Sequence, residues 1–417
     1  MAHVVSLQPQ PHPYNMYMKP GGSNDPLMNH YLGSVMDLQY LLADSQHIRY
    51  ILFPSVTNPG ASRKAARLLA AVHTQRATCR SENYIALQDQ DVKIKYDELL
   101  QVLNKPQYTE DDALAAISII SSFLFDGGGG AWQEWLKLSY TYVDSVFRDR
   151  DPRDALQHCS ETTRFIVKTA IWFDVLAAVT TQKAPRFLHY IRLLYSPETS
   201  RVFDPTQPAE SPRLSMMSVM GCENHIVWAL AEASALAVWK QERMDRGSLS
   251  IPDLVMNADR LDKHLHPTAS ELPYAATETD VARDLSSSIF RAATRVYLRS
   301  IVSGDYPHVP EIMEAIEETM EFVRAPQEHS QKVHSSVVRS TVFAFFICGA
   351  LTDNSRLRTE IYKRLCLEGE DLATSTVGNS GSIKRLLQQI WAGRSKHAAR
   401  TPVPWRDVLR DSNMLLV

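Results

Sequence analysis

The sequence contains 417 residues, of which 44% are apolar and 22% are charged, so the chain can bury a sizeable core without disulfides or metal ions. Lysine and arginine together number 44, and aspartate and glutamate 47, which gives a formal net charge of −3. This balance argues against broad binding to nucleic acid, because such binding needs a basic field over the contact face.

The cysteines are few and scattered. A set of five at such spacing is neither a disulfide framework nor a zinc knuckle, and it favours a reducing compartment. The five residues are Cys79, Cys159, Cys222, Cys348 and Cys366.

The N-terminal segment, residues 1–26, is rich in Pro, Gln, His and Gly and shows no period. It lacks the basic start and the apolar centre of a secretory signal, so we expect a flexible tail. The longest apolar runs, Phe165–Thr181 and Val337–Leu351, are interrupted by charged residues and fall short of the roughly 20 residues of a membrane span. We therefore expect two buried helices and no membrane association.

Helix signals recur along residues 27–417. Asp25 and Pro26 offer a cap and a proline at the first helical position, and Thr109 offers a cap that three acidic residues follow. Apolar residues recur at helical spacing, while proline and glycine mark the breaks. The predicted helical segments are Leu27–Phe53, Ala61–Arg76, Ala113–Phe125, Trp132–Phe147, Glu161–Thr181, Pro185–Tyr195, Met216–Arg243, Ile251–Lys263, Asp280–Ser303, Val309–Val323, Gln327–Gly349, Ser355–Leu367 and Ser382–Gly393.

The fold class that follows is all-α, a single large multi-helix domain of packed antiparallel helices over residues 27–417. No run of alternating apolar and polar residues joined by hairpin turns is found. The best candidate for a domain boundary is Ser196–Arg213, which contains four prolines and is predicted to be a loop. No clear linker divides the helices.

Two motifs resemble phosphate or metal sites without their chemistry. Gly127–Gly130 lacks the Lys-Ser/Thr pair of a P-loop and is followed by Ala131-Trp132, so we interpret it as a helix–helix loop. Asp111-Asp112 resembles the acidic metal motif of all-α terpene cyclases, but alanines stand one turn further on. A role in capping explains these acids better.

The histidine and serine motifs are equally incomplete. His264 and His266 fall on different sides of a helix, and His329 and His334 do not align, so no three zinc ligands converge. Gly378–Ser382 lacks the Gly-x-Ser-x-Gly pattern of a nucleophile elbow and is predicted to be a polar loop. We assign no catalytic, cofactor-binding or metal-binding residue, and we expect neither a cofactor nor an enzyme.

Aromatic residues recur at positions that are typical of a core, although some of them could line a cavity between packed helices that admits an effector. They are Trp132, Trp135, Tyr140, Tyr142, Trp172, Phe173, Trp228, Trp239, Phe343, Phe345 and Phe346.

Seven segments in order resemble the fungal-specific transcription factor domain, in its second large subfamily, which is the helical regulatory region of many zinc-cluster regulators. Their residues are mostly apolar, so the resemblance carries over a core rather than an active site. The segments are His30–Asp44, Ala66–Arg76, Ile171–Leu188, Met220–Glu242, Ala293–Ile312, Val337–Leu365 and Trp405–Val417.

One feature of the family is missing. Its DNA-contacting module needs six cysteines in two close triplets beside a basic stretch, and this sequence contains neither. The module could lie upstream of Met1, the chain could act through a DNA-binding partner, or that function could have been lost.

The resemblance implies a transcription regulator that works through homodimerisation or a DNA-binding transcription factor partner, with a small-molecule effector as a further candidate. It implies the nucleus, with the cytoplasm as the other option, and no direct binding of nucleic acid by this chain alone. Exposed apolar residues on Met216–Trp239 could provide a dimer face. The alternative is an all-α small-molecule-binding protein or enzyme with an aromatic-lined cavity, for which thiols such as Cys222 and Cys348 would be candidates. A scaffold of stacked helical repeats ranks last, because no internal repeat is found.

Overall fold

Helices form the regular secondary structure of this chain. The computed structural model describes residues 25–79, 81, 84–197, 211–266, 276–325, 329–366, 377–394 and 401–417. No strand occurs within these ranges, and the helices pack into a single domain. The predicted all-α class is confirmed. Residues 1–24 of the predicted tail and most of the predicted loop at 196–213 lie outside the described residues.

The helices before residue 198 build the N-terminal half. A π-helical turn, Tyr31–Val35, joins the first two, and a 3₁₀ turn, Ala86–Gln88, precedes the fifth. The helices are α1 (Pro26–His30), α2 (Met36–Gln39), α3 (Ser45–Thr57), α4 (Ala61–Thr78), α5 (Gln90–Leu103), α6 (Glu110–Phe125), α7 (Trp132–Phe147), α8 (Pro152–His158), α9 (Glu161–Thr181) and α10 (Leu188–Tyr195).

The helices after residue 211 build the C-terminal half. They are α11 (Met217–Met220), α12 (Asn224–Asp245), α13 (Ile251–Asp262), α14 (Glu278–Ser303), α15 (Pro310–Arg324), α16 (Gln331–Ser340), α17 (Val342–Ala350), α18 (Ser355–Leu365), α19 (Ser380–Arg394) and α20 (Trp405–Ser412).

Side-chain caps set several helix starts. The Asp25 carboxylate accepts from the Met28 N–H, with Pro26 at the first helical position, as the sequence predicts. Thr109 and Asp112 form a reciprocal capping box at the start of α6. Each such cap is worth about 1 kcal/mol.

Two long helices organise the packing. Every residue of α9 from Thr163 to Thr180 is buried, as expected for a helix that is apolar nearly all round. It contacts α6 and α7 on one side and α12 on the other, while α14 contacts α12, α15, α16 and α17. Thus α12 contacts both α9 and α14 and joins the two halves of the chain.

The C-terminal segment, residues 413–417, crosses between the halves, and its three central residues, Met414, Leu415 and Leu416, are buried. The Leu415 N–H donates to the Gly128 carbonyl at 2.9 Å, and the Trp132 Nε1–H donates to the Asn413 carbonyl at 2.8 Å. The Asn379 amide donates to the carbonyls of Leu415 and Val417, at 3.1 and 2.8 Å. Leu415 is fully inaccessible to solvent. This segment therefore ties the α6–α7 loop to the start of α19.

The predicted helix Leu27–Phe53 is wrong as one element. After α2 the chain leaves the helical conformation at Tyr40, with φ −132° and ψ 64°. Asp44 then starts a new helix by accepting from the His47 N–H. The apolar spacing of the two helices runs on across this break, which hides it in the sequence.

The predicted helix Met216–Arg243 is also interrupted. Gly221 adopts the left-handed conformation, with φ +61°, and separates α11 from α12. A Cβ at this position would lie 2.5 Å from Leu42 Cδ1, so the close approach of the chain around Leu42 requires glycine. Its apolar residues up to Leu236 are mainly buried within this chain, so the expectation of exposed apolar residues on Met216–Trp239 is wrong. Dimerisation itself stays a prediction.

The predicted helix Gln327–Gly349 bends by 63° between α16 and α17. Thr341 lies at the bend, and its hydroxyl donates to the Val337 carbonyl at 2.7 Å. No single helix in the described ranges is long and apolar enough to span a membrane. The bent pair α16–α17 has the length and composition of a span only when its two helices are taken together. All residues of α17 are buried, as expected for a core helix.

Three helices are missing from the prediction: α5, α8 and α20. The first two carry aspartate caps at Asp89 and Asp151, and Pro152 follows the second. The third, α20, follows Pro404 and has no side-chain cap. The first two had readable start signals, whereas α20 is set mainly by the burial of Trp405 and Leu409.

We expect Leu415→Ala to lower the free energy of unfolding by about 2–5 kcal/mol, because it opens a cavity where the buried segment meets both halves. Chemical denaturation measures the change. The matched control is Leu100→Ala on α5, where the side chain is 43% exposed and the loss should stay within about 0.5 kcal/mol. Equal losses in the two variants would contradict the anchoring role.

Candidate functional site

A cavity, which we call the central cavity, lies where the segment around residue 40 meets residues 377–380 and the C-terminal segment. Its volume is about 130 Å³, and its walls come from residues 38–42, α6, the middle of α9, residues 377–380 and Val417. Pockets that hold small organic ligands usually measure about 300–1,000 Å³. The central cavity therefore suits a few water molecules better than an effector.

The polar groups around the central cavity bind one another. The Gln39 side-chain amide donates to the Tyr40 hydroxyl and to Ser121 Oγ, both at 2.9 Å, and its carbonyl accepts from the Tyr31 hydroxyl at 3.1 Å. Arg339 donates to the Val377 carbonyl at 3.0 Å. These bonds hold the segment around residue 40 against α6 and stabilise a junction.

The aromatic residues singled out in the sequence are mostly core. Trp172 and Phe173 line the central cavity, and Trp172 packs edge-on against Phe290 at 4.9 Å between ring centroids. Trp132 and Trp228 are fully buried among other core side chains. The hypothesis of an aromatic-lined effector cavity therefore finds two of these residues at the central cavity, which is small, and a third, Trp239, at a separate pocket between α12 and α13.

The glycine-rich loop connects α6 to α7, as predicted. Gly127, Gly128 and Gly130 all have positive φ, and the Gly128 carbonyl accepts from the C-terminal segment. A Cβ on Gly128 would lie 3.0 Å from Asn379 Cβ. The loop therefore allows a close approach of two chain segments, and its carbonyls face protein donors.

Asp111 and Asp112 divide a structural task. Asp112 belongs to the capping box of α6 and forms an ion pair with Lys105 at 2.7 Å. Asp111 accepts from the N–H groups of Ala61 at 2.7 Å and Ser62 at 3.3 Å, so it caps the start of α4. Capping is confirmed, and its extension to a second helix was not readable from the sequence because it depends on tertiary packing.

The histidines do not converge on a metal site. His264 packs edge-on against Trp228, with 5.3 Å between centroids, and His266 lies 4.0 Å from Asp262. His329 and His334 line one surface groove beside α18. In the part of the chain that the structure describes, no group of three or more His, Cys, Asp or Glu residues could hold a metal ion.

The thiols are unsuited to nucleophilic chemistry. Cys222 and Cys348 are buried, and burial raises the pKa of both, that of Cys348 to about 12. A thiolate is the reactive form, so these cysteines stay unreactive near neutral pH. They behave as small core residues.

Asp174 is a buried carboxylate with three hydrogen-bond donors. Its carboxylate accepts from the Tyr140 hydroxyl at 2.6 Å and from the N–H groups of Arg186 and Phe187, at 3.2 and 2.8 Å. Burial raises the pKa of Asp174 to about 6, although the three donors favour the ionised form. The carboxylate fixes the turn that leads into α10.

His73 forms a buried pair with His30, with 3.0 Å between His73 Nδ1 and His30 Nε2. The other ring nitrogen of His73 is buried without a hydrogen-bond partner. Burial, together with His30 and Arg339, lowers the pKa of His73 to about 4. The imidazole is therefore neutral in the folded protein.

Comparison with known families and proteins gives a single answer. The family model described as "Fungal specific transcription factor domain" matches residues 26–417, nearly the whole chain. No solved structure matches this chain.

Several curated relatives are similar over part of their length. The ustiloxin B cluster transcription factor of Aspergillus flavus is 23% identical over 262 residues, which cover 59% of this chain and 41% of that protein. A transcriptional regulatory protein of Neurospora crassa is 24% identical, covering 60% and 37%. The trichothecene biosynthesis transcription regulator of Fusarium sporotrichioides is 21% identical, covering 69% and 61%. The matches thus span about 40–60% of these relatives' length, and the printed names describe regulators, not enzymes.

We expect Asp174→Ala to lower the free energy of unfolding by about 2–4 kcal/mol, because it leaves three buried donors without an acceptor. The matched control is Asp144→Ala, which removes the exposed ion-pair partner of Arg186 and should cost less than about 1 kcal/mol. Urea unfolding of the two variants tests this. A small loss in the Asp174 variant would contradict the structural role.

We expect a pH effect from His73. Since its folded pKa lies below the ordinary 6.5, the unfolded chain takes up a proton that the folded chain refuses, and stability is lost as pH falls from about 6.5 towards 4. Between about pH 7 and pH 5, the wild type should lose about 1–2 kcal/mol more than His73→Gln. Unfolding curves at the two pH values measure this difference. Parallel losses in both proteins would refute it.

Proposed function

Because the chain belongs to the fungal specific transcription factor domain family, we propose that it is the regulatory part of a fungal transcription regulator. The family match over residues 26–417 carries this proposal. The buried helical architecture supports it, since the residues that carry the family likeness lie in the core. The names of the three relatives described above all refer to the regulation of transcription.

The chain would act through other proteins, either a second copy of itself or a DNA-binding transcription factor. Its formal net charge of −3 supports this route, because DNA binding draws much of its affinity from clustered lysine and arginine. We propose that this chain makes no specific DNA contact of its own. The nucleus is the compartment in which such a regulator acts.

The relatives' names suggest a setting. One name refers to the ustiloxin B cluster and another to trichothecene biosynthesis. By likeness, we propose that this chain also serves a regulator of a biosynthetic gene set. The alternative, a small-molecule-binding protein or enzyme, gains nothing from the central cavity, which is small.

The test joins this chain to an unrelated DNA-binding domain in a fungal host that carries a matching reporter gene. We expect reporter output to change several-fold relative to the DNA-binding domain alone, because a regulatory part keeps its activity when tethered. A fusion with Trp405→Asp, which places a charge in the core, should lose this effect. An unchanged reporter with a folded fusion would refute the proposal.

The absence of DNA contact is tested on the purified chain, whose mobility shift with fungal promoter fragments should be no greater than that with unrelated DNA. Tight binding to one promoter sequence would overturn this part of the proposal.

A further inference from the structure

A second and larger cavity lies against the N-terminal half of α9, and we call it the basic pocket. Its volume is about 390 Å³, and its walls come from the start of α3, α9, residues 212–219 and Arg283 of α14. Its lining differs from that of the central cavity except for Val219. The volume falls within the range of about 300–1,000 Å³ in which pockets hold small organic molecules.

Lys168 is the central charge of the basic pocket. Its side chain projects from α9, and the residue is only 3% exposed. The ammonium makes one hydrogen bond, to the Ser215 carbonyl at 2.7 Å, and no carboxylate in the described ranges forms an ion pair with it. Burial and the nearby Arg164 lower the pKa of Lys168 to about 8, so the group is still mainly charged at neutral pH.

More cations than anions surround the basic pocket. Arg164, one helical turn before Lys168, is also buried, and it forms an ion pair with Glu161 at 2.5 Å. Arg283 donates to the carbonyls of Leu42 and Ser218, at 2.6 and 3.1 Å, and forms an ion pair with Asp280 at 3.2 Å. Both arginines line the basic pocket together with Lys168.

The rest of the lining adds one cation, Arg213, and one carboxylate, Asp44. Arg213 lies at the exposed rim and donates to the Gln157 carbonyl at 2.9 Å. The second carboxylate of the pocket, that of Asp44, accepts from a backbone N–H at the start of α3. Four cationic side chains therefore face two carboxylates, each of which already has a partner.

The remaining walls are formed by apolar side chains together with His47 and Ser218. Ile51, Phe165 and Val219 line the basic pocket and are otherwise buried. A buried lysine normally has a charged partner, because an unpaired ammonium is costly to remove from water. A neutral donor would satisfy the Ser215 carbonyl without that cost, so a purely structural role does not explain the charge.

We propose that the basic pocket binds a small organic anion, namely a carboxylate or phosphate group attached to an apolar body. The anionic group would lie at Lys168, with Arg213 closing over it from the rim. The apolar body would lie along Ile51, Phe165 and Val219. Such a ligand supplies the missing counter-charge and covers the apolar wall at the same time.

The basic pocket lies where a bound ligand would contact elements of both halves of the chain. It contacts α3, α9 and the segment before α11, and Arg283 links this place to α14. A bound anion would hold elements of both halves together. That this acts as an effector signal rests on the proposed function, whereas binding itself does not.

The binding test uses the purified chain and four probes: octanoate, octyl phosphate, octanol and inorganic phosphate. We expect octanoate or octyl phosphate to raise the melting temperature in a saturable way, since a ligand that binds the folded state stabilises it. Which of the two binds more tightly separates a carboxylate from a phosphate ligand. Octanol shares the apolar chain without the charge and should produce no saturable shift, and inorganic phosphate should be weaker than octyl phosphate.

Three variants locate the site. Lys168→Met should weaken the binding of octanoate or octyl phosphate at least tenfold in calorimetric titration, as expected for loss of a charged hydrogen bond. Arg213→Gln, at an exposed position, should weaken it without changing the unliganded melting temperature. Lys240→Met is the matched control, because that partly buried lysine also donates to a carbonyl, that of Ile301, but lies outside the basic pocket.

The site is supported if octanoate or octyl phosphate binds saturably, if the Lys168 and Arg213 variants weaken this binding, and if the Lys240 variant leaves its affinity unchanged. The site is refuted if no probe gives a saturable shift of the melting temperature, or if octanol gives the same shift as octanoate. It is also refuted if both pocket variants bind with unchanged affinity. If the tethered chain is silent in the reporter assay while the purified chain binds octanoate, the proposed function is wrong and the binding site stands.

Discussion

The burial of residues 413–417 between the two halves of the chain is the constraint on which much of the structure depends. Backbone carbonyls of this segment need donors once they leave water, and they find them in Trp132, Thr180 and Asn379. These donors belong to α7, the end of α9 and the start of α19. The α6–α7 loop must in turn come close enough to accept from Leu415, and its glycines allow this.

How far the sequence predicts the structure depends on whether a signal is local. The bounds of α7 and α9 match the prediction, because glycine and serine signals beside them act within one turn of helix. The breaks at Tyr40 and Thr341 were missed, since the apolar spacing continues across both. At Tyr40 the neighbouring Gln39 donates a hydrogen bond to Ser121 of α6, a contact with a distant element that local spacing does not show.

For the candidate sites, too, the sequence predicts what depends on local spacing and not what depends on tertiary contacts. The exclusion of a P-loop at Gly127–Gly130 and of a metal at Asp111 could be read from the sequence, because each chemistry requires a partner residue at a set spacing that is absent. The basic pocket could not be read, since its cations stand at positions 164, 168, 213 and 283 and meet only through the fold. Asp174 and Lys168 both lie on α9, yet the carboxylate has three donors and the ammonium one acceptor. That difference in satisfaction separates a structural charge from a candidate binding charge.

The long reach of the C-terminal segment also sets an order of events during synthesis. Ribosomes add about 5–20 residues per second, so the glycine loop waits roughly 15–60 s for the segment that completes its packing. Contacts between residues so far apart in sequence also form slowly. The surface of the nascent chain that receives residues 413–417 therefore stays uncovered until these residues are made, and chaperones that bind apolar surface have their longest access there.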